Sequence, residues 1–264
     1  MNLSDQALAE ITAKLADASE VQKRLLLPVD LIAAKAGPAS KIDIAIVCLR
    51  DACDVFGDAG YALGQAYSHL VWHRKEREGA PNEPAAVLMG KYYADDVALR
   101  LYAAGEHVAN FIVAFLNIPE DDLKPYKEDI RITSRQAIVG RYMVGEKPGH
   151  KITAAIQALL RSDDWRKTRK YRDTWVHDQP PLAEGLGIVY HRKGRWSKIE
   201  GVDTIFIGGS DEPAHTVDAL IEMVASASRA FSTLLFGLSD VLFEEIERLG
   251  IRIDHGAGRV SVGF

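Results

Sequence analysis

The segment YRDTWVHDQPP, residues 171–181, marks the point at which a long helical stretch of this chain must end. Proline has no backbone N–H and pushes the residue before it out of helical conformation, so a helix cannot pass the Pro180–Pro181 pair. Residues 149–177 carry helical periodicity and predict one continuous helix. His177 is therefore expected in the last turn of that helix or at its cap.

Two side chains in this segment have the chemistry that phosphate groups require. Arg172 is always charged, and its planar fork of N–H groups matches phosphate oxygens. His177 follows five residues later, and an imidazole titrates near neutral pH. Five residues turn an ideal helix by about 140°, so a loosened final turn is needed to bring the two groups together. The alternative is structural, in which these residues pair with Asp173, Asp178 or a carbonyl and fix helix packing.

The sequence RDTWVH, residues 172–177, consists of an arginine, a polar residue, three further residues and a histidine near a helix end. It resembles the signature of the HEPN superfamily (higher eukaryotes and prokaryotes nucleotide-binding), and the resemblance covers roughly residues 42–250. It implies an all-α fold and a dimer in which two copies of the motif face each other across a cleft. Many members are metal-independent endoribonucleases of toxin–antitoxin, phage-defence or RNA-processing systems. Others only bind nucleotides or act as inactive scaffolds.

The catalytic roles expected at this motif follow from charge. Cleavage of RNA by transesterification needs a deprotonated 2′-OH, a protonated 5′-oxygen leaving group and stabilisation of the charge on phosphorus. His177 would carry acid or base work, and Arg172 would hold the phosphate. Asp173 would orient the histidine or the opposing subunit's arginine. One histidine is too few for both proton transfers, and the dimer that the resemblance implies would supply a second.

Charge is distributed unevenly along the chain. The net charge is −5, which argues against general nucleic-acid binding, because non-specific affinity comes mainly from phosphate neutralisation. Residues 161–172 nevertheless contain six cations and two acids. We expect four of these cations to form an RNA-facing strip confined to one cleft: Arg166, Lys167, Arg169 and Lys170. An ordinary solvated helix face is the alternative.

Two further pairs of polar residues are weaker candidates. Glu106 and Asn110 lie on a predicted helix and could support the active site from a neighbouring element, or make a core hydrogen bond instead. His69 and His73 are four residues apart and share a helix face, as two metal ligands would. No nearby acid completes a metal motif, so we predict no metal and no other cofactor. A metal-binding helical-bundle enzyme built on these histidines is the second alternative to a ribonuclease.

Apolar residues recur at helical spacing over most of the 264 residues, which predicts an all-α bundle of long helices. With 47% hydrophobic residues, the chain is long enough to bury a full core. Between the motif helix and the last long helix, β-branched and aromatic residues predict a β-hairpin or three-stranded meander, with Lys193-Gly194 as a turn. We expect a single domain with four parts: an N-terminal helical extension (1–37), the HEPN-like bundle (42–250), its β insertion (186–209) and a tail that adds a short strand (251–264).

The sequence also suggests where the protein acts. Residues 1–20 have no basic start followed by an apolar run, and no apolar run in the sequence approaches the ~18 residues of a membrane span. Cys48 and Cys53 match no zinc or redox motif. We therefore expect a cytoplasmic protein that does not contact membranes. Its expected partners are single-stranded RNA or a nucleotide, a second copy of the chain paired through the motif helix, and a cognate antitoxin if the protein is a toxin.

Overall fold

Helices form most of the chain, and the predicted all-α bundle is confirmed. The computed structural model describes residues 1–16, 19–127, 134–177, 181, 183–185, 195–199, 201–206, 215–254 and 261–263. These residues contain ten α-helices: α1 (Asp5–Thr12), α2 (Ser19–Arg24), α3 (Val29–Ala36), α4 (Ile42–Val71), α5 (Glu83–Phe115), α6 (Glu120–Leu123), α7 (Arg135–Glu146), α8 (Lys151–Arg161), α9 (Asp163–His177) and α10 (Val217–Arg248). A π-helical turn, Trp72–Glu76, continues α4, and a 3₁₀ turn, Lys124–Lys127, follows α6.

The three long helices α4, α5 and α10 build the core. Helices α4 and α5 pair along much of their length, and α10 packs against both of them and against α8 and α9. Their buried apolar side chains form one continuous cluster. Three stacked aromatic rings cross it: Phe231 lies 5.7 Å from Phe56 and 5.4 Å from Trp165, measured between ring centroids. This stack ties α9, which carries the motif, to the centre of the bundle.

The N-terminal extension is helical, as predicted, and belongs to the same core. It consists of the three short helices α1, α2 and α3, each of which contacts α4. Ile11, Val21 and Ile32, one from each helix, are buried in the central cluster. The extension therefore covers one side of α4 with apolar contacts.

The prediction of one continuous helix over 149–177 is wrong, because the chain breaks at Ser162. This residue has extended backbone (ψ 117°), and its Oγ accepts a hydrogen bond from the backbone N–H of Trp165 at 3.3 Å. It therefore caps the N-terminus of α9, where Asp163 and Asp164 complement the positive end of the helix dipole. The break leaves α8 and α9 as two separate helices.

Two small antiparallel hairpins accompany the helices. Strands β1 (Arg195–Ile199) and β2 (Val202–Phe206) pair within the predicted β insertion, and Gly201 makes the turn between them at φ +84°. The predicted turn at Lys193-Gly194 and the rest of the insertion lie outside the described residues. Strands β3 (Arg252–Asp254) and β4 (Ser261–Gly263) form a second hairpin in the tail, where the sequence predicts one short strand.

Helix α10 is unusually apolar. Among the described residues, it alone is long and apolar enough to cross a membrane by length and composition, with a mean hydropathy of 1.3 over 18 residues. This window is defined by its mean hydropathy and not by an unbroken apolar run, since Asp218, Glu222, Arg229 and Asp240 interrupt the helix. In the bundle, 56% of that window is buried against other parts of the chain. The core helix of a bundle passes the same test of length and composition, because the side chains that it buries are apolar.

Candidate active site

The carboxylate of Asp95 on α5 holds one side of α9. It accepts hydrogen bonds from the hydroxyl of Tyr171 and, at 3.2 Å, from the indole Nε1 of Trp175. The Nζ of Lys91 lies 2.6 Å from the same carboxylate, and the Lys91 and Asp95 side chains are only 12% and 14% exposed. Burial, and then the charge of Asp95, raises the pKa of the Tyr171 phenol, so its hydroxyl stays protonated and available as a donor. These contacts fix the rotation of α9 against α5.

Arg172 is the next residue on α9 and lies against a tyrosine of α5. Its guanidinium carbon lies 3.6 Å from the centroid of the Tyr102 ring, which is a cation–π contact. Its Nη1 donates to the Asp173 carboxylate at 3.0 Å. The Arg172 side chain is 17% exposed, and its Nε is buried without a hydrogen-bond partner among the described residues. The arginine is thus held in place but retains unused donor capacity.

Arg172, Asp173 and His177 line one cavity of about 760 Å³ between α5, α7, α8, α9 and α10. Five lining residues are exposed, so the cavity opens to solvent along a rim formed by Arg141, Val144, Gly145, Leu160 and His177. The interior is apolar and buried, and its larger side chains include Ile112, Val139, Ile156, Leu159, Trp165, Phe231 and Leu234. The three predicted catalytic residues therefore lie at one cavity that is open at its rim.

The predicted RNA-binding strip divides between two sides of α9. Arg169 lines the cavity, and its Nε is buried without a partner among the described residues. Arg166 instead forms an ion pair with Asp163 at the exposed start of the helix. Two further predicted residues, Lys167 and Lys170, are exposed and are not among the described lining residues. Successive helical residues turn by about 100°, so neighbouring cations cannot all share one face.

Glu106 supports the cavity indirectly. One of its carboxylate oxygens accepts from the Ser134 hydroxyl at 2.7 Å, and the other accepts from the backbone N–H of Arg135 at 3.0 Å. Both donors belong to the N-terminus of α7, which supplies one wall of the cavity. Asn110, the other predicted supporting residue, is half-buried on α5 and is not among the described residues that line the cavity. The structure thus makes Glu106 a positioning residue for α7.

His69 and His73 stack on each other at the end of α4. Their ring centroids are 5.6 Å apart, and the Nδ1 atom of each is buried without a partner among the described residues. Burial lowers the pKa of both imidazoles, which keeps them neutral. The described parts of the chain contain no group of three or more potential His, Cys, Asp or Glu metal ligands. The structure therefore adds no third ligand to this pair.

The fold and the cavity together define an all-α bundle in which arginines and a histidine surround the opening of an apolar interior. Comparisons with protein-family models, with curated proteins and with solved structures each found no match. The similarity to the HEPN signature consequently rests on the residues of the motif.

The position of α9 should depend on Asp95. Replacement by alanine leaves the poorly exposed Lys91 without its partner and removes the acceptor shared by Tyr171 and Trp175. We expect Asp95→Ala to lower the free energy of unfolding by about 3 kcal/mol, the scale for breaking a buried ion pair. Urea denaturation followed by circular dichroism measures this change.

The adjacent residue provides a matched control. Asp96 accepts from Arg100 Nε at 2.8 Å, but this pair is much more exposed, and Asp96→Ala should cost only about 0–1 kcal/mol. Equal, small effects of the two substitutions would show that Asp95 does not hold α9 in place.

Proposed function

We propose that this protein is a metal-independent endoribonuclease that cuts RNA by transesterification at Arg172 and His177. The observation that carries the proposal is the convergence of Arg172, Asp173 and His177 on one solvent-open cavity. Arg169, from the preceding turn of α9, joins them. Residues that served only to fix helix packing would have no reason to share a cavity with a second, incompletely bonded arginine.

Arg172 is suited to hold a phosphate. The Tyr102 ring supports one face of its guanidinium, which restricts the plane of the fork before a ligand arrives. One of its nitrogens already donates to Asp173, while Nε has no partner among the described residues. Charge-assisted hydrogen bonds from an arginine to phosphate oxygens are stronger than neutral ones and stabilise charge that develops on phosphorus.

His177 is suited to proton transfer at the same phosphate. It lies in the last turn of α9 and is exposed at the rim, where an RNA backbone has access. An imidazole can accept the 2′-OH proton or protonate the leaving oxygen near neutral pH, a contribution of roughly 10²–10⁴ in rate. Asp173, half-exposed beside Arg172, would orient the arginine of the site.

The charges of the cavity favour chemistry without a divalent metal. Its described lining contains three arginines, Arg141, Arg169 and Arg172, and a single carboxylate, Asp173. Mg²⁺ and similar hard cations require several oxygen ligands and carboxylates that offset their charge. This set of residues repels a divalent cation and attracts a phosphate. The biological setting, as a toxin with an antitoxin or as a phage-defence component, stays a prediction from the resemblance.

Cleavage should depend on His177 and not on added metal. The purified protein should cut single-stranded RNA in the presence of a chelator and leave 2′,3′-cyclic phosphate ends. His177→Ala should lower the rate about 10²-fold or more and keep the helical circular dichroism. His107→Ala serves as control, since this histidine lies near Asp51 and outside the described lining. Equal cleavage by the His177 variant would refute the assignment, and RNA binding without cleavage would favour a non-catalytic binding or scaffold protein.

The shape of the Arg172 side chain, and not only its charge, should matter. Arg172→Lys keeps a cation but loses the planar fork and the stacking on Tyr102. We expect the cleavage rate to fall about 10²-fold, the scale for losing one donor to a developing oxyanion. Single-turnover rates at saturating RNA measure the loss. Lys170→Arg, on an exposed side of the same helix, should leave the rate unchanged. An Arg172→Lys variant with full activity would show that bidentate phosphate contact is not needed.

We also propose that two copies of α9 pair to complete the site. Apolar side chains are exposed near the motif: Val176 and Val144 are each 41% exposed and Leu160 is 37% exposed. A symmetric interface would use these surfaces on both subunits and bring together two copies of His177. Each subunit would then supply one of the two proton-transfer groups.

Light scattering should show about twice the 29.1 kDa chain mass. Val176→Asp should shift the protein toward the monomer and lower its specific activity, because burying an unpaired charge in an interface is unfavourable. The control is Val47→Asp, which changes a valine of comparable exposure, 47%, on α4. Full specific activity of a monomer at all concentrations would contradict the two-chain site.

A further inference from the structure

The cavity behind the motif is larger and more apolar than a phosphate site requires. Its volume of about 760 Å³ lies within the roughly 300–1,000 Å³ typical of small-molecule sites. Buried side chains from five helices form the interior: Ile112 of α5, Val139 of α7, Leu159 of α8, Trp165 of α9 and Phe231 of α10 are examples. A phosphate held at the rim would contact none of this apolar surface. The interior therefore favours a ligand with an apolar portion.

Two arginines in the lining of the same cavity favour an anion. Arg169 and Arg172 both line it, and the Nε of each is buried without a hydrogen-bond partner among the described residues. A buried donor left unpaired is costly, and more so when it belongs to a charged group. A carboxylate can accept two parallel N–H bonds from one guanidinium. Asp173 is the one carboxylate in the described lining, and its hydrogen bond goes to Arg172 Nη1, which leaves both Nε groups free.

We propose that the cavity binds an aliphatic monocarboxylate, a fatty-acid-like molecule whose chain enters the apolar interior and whose carboxylate pairs with Arg169 and Arg172. A single chain matches an interior enclosed by helices on several sides. Ligand binding requires no RNA cleavage, so this inference stands apart from the proposed ribonuclease activity. The two share Arg172, however, and an acid in the cavity would occupy the donors that a phosphate needs.

Trp165 provides a direct reporter for such a ligand. Its ring lines the cavity and stacks on Phe231. Bromine quenches indole fluorescence at contact, so 11-bromoundecanoate, used below its micellar concentration, tests whether the chain reaches the interior of the full-length protein. We expect saturable quenching that is reversed by undecanoate. Trp165→Phe should remove this quenching, while calorimetry with undecanoate still shows binding.

Ligands that differ in chain length test the apolar interior, and ligands that differ in head group test the arginines. Each additional methylene should tighten binding about fourfold until the interior is full, which corresponds to about 0.8 kcal/mol per buried CH₂. Undecanol has the same chain without the charge and should bind at least about tenfold more weakly than undecanoate, since charge-assisted hydrogen bonds are worth about 1.5–3 kcal/mol. Arg169→Gln should weaken binding of the acid by a similar factor and leave binding of the alcohol unchanged.

A cavity-filling substitution supplies the structural test. Gly140 on α7 lines the cavity, and a Cβ built at this residue has open space around it. Gly140→Leu should therefore fill part of the cavity and abolish saturable quenching. Gly60→Leu is the matched control, because Gly60 is also a helical glycine with open space but is not among the described lining residues. Circular dichroism of both variants checks the fold.

The results of these binding measurements do not depend on those of the RNA experiments, because the binding measurements contain no RNA. Saturable quenching by the acid, its loss in Gly140→Leu and its weakening in Arg169→Gln would support the proposal even if the protein cuts no RNA. Absence of saturable quenching would overturn it, as would equal affinity for undecanoate and undecanol. Quenching that persists in a folded Gly140→Leu variant and also in Arg169→Gln would place the acid elsewhere on the protein.

Discussion

The carboxylate of Asp95 is the contact on which the arrangement of the site depends. Tyr171 and Trp175 are one helical turn apart on α9, and both donate hydrogen bonds to this carboxylate. Lys91 forms an ion pair with the same carboxylate. A helix held at two successive turns cannot rotate about its axis. Arg172 follows Tyr171 by one residue, or about 100° of rotation, and is thereby directed onto Tyr102 and into the cavity.

The break at Ser162 is the second constraint, because residues on both sides of it line the cavity. A straight helix presents one stripe of residues to its neighbours, whereas two helices joined at an angle can form two walls. Leu159 of α8 and Trp165 of α9 lie on opposite sides of the break, and both line the cavity. The stacking of Trp165 on Phe231 fixes the start of α9 at the core. The resulting space has an apolar interior and a charged rim, and the two proposed ligands depend on these two features.

The sequence predicted the parts of the fold that depend on local pattern. Helical periodicity predicted the all-α bundle, and β-branched residues predicted the hairpin that contains β1 and β2. The helix end predicted before Pro180–Pro181 falls at residues 178–180, outside the described residues. The break at Ser162 was missed because apolar spacing continues across it. The signal was present, however: a serine followed by Asp163 and Asp164 is a typical helix start.

The site was predictable only where it is local. Arg172, Asp173 and His177 were recognised from their spacing, but Tyr102, Gln136 and Arg141 come from α5 and α7, distant in the sequence, and no local pattern connects them to the motif. The cations 166–170 were predicted as one strip because they are neighbours in sequence. Helical rotation and the ion pair of Arg166 with Asp163 instead leave Arg169 as the member of that group in the described cavity lining.

The central claim is that Arg172 and His177 act on the same phosphate at the rim of this cavity. NMR of the histidine side chains, during titration with a 2′-O-methyl RNA that cannot be cut by transesterification, tests it most directly. The ring resonances of His177 should shift saturably while those of His107 stay unchanged, and Arg172→Gln should abolish the shift. RNA binding that leaves the His177 resonances unmoved, or that moves them equally in Arg172→Gln, would contradict the account.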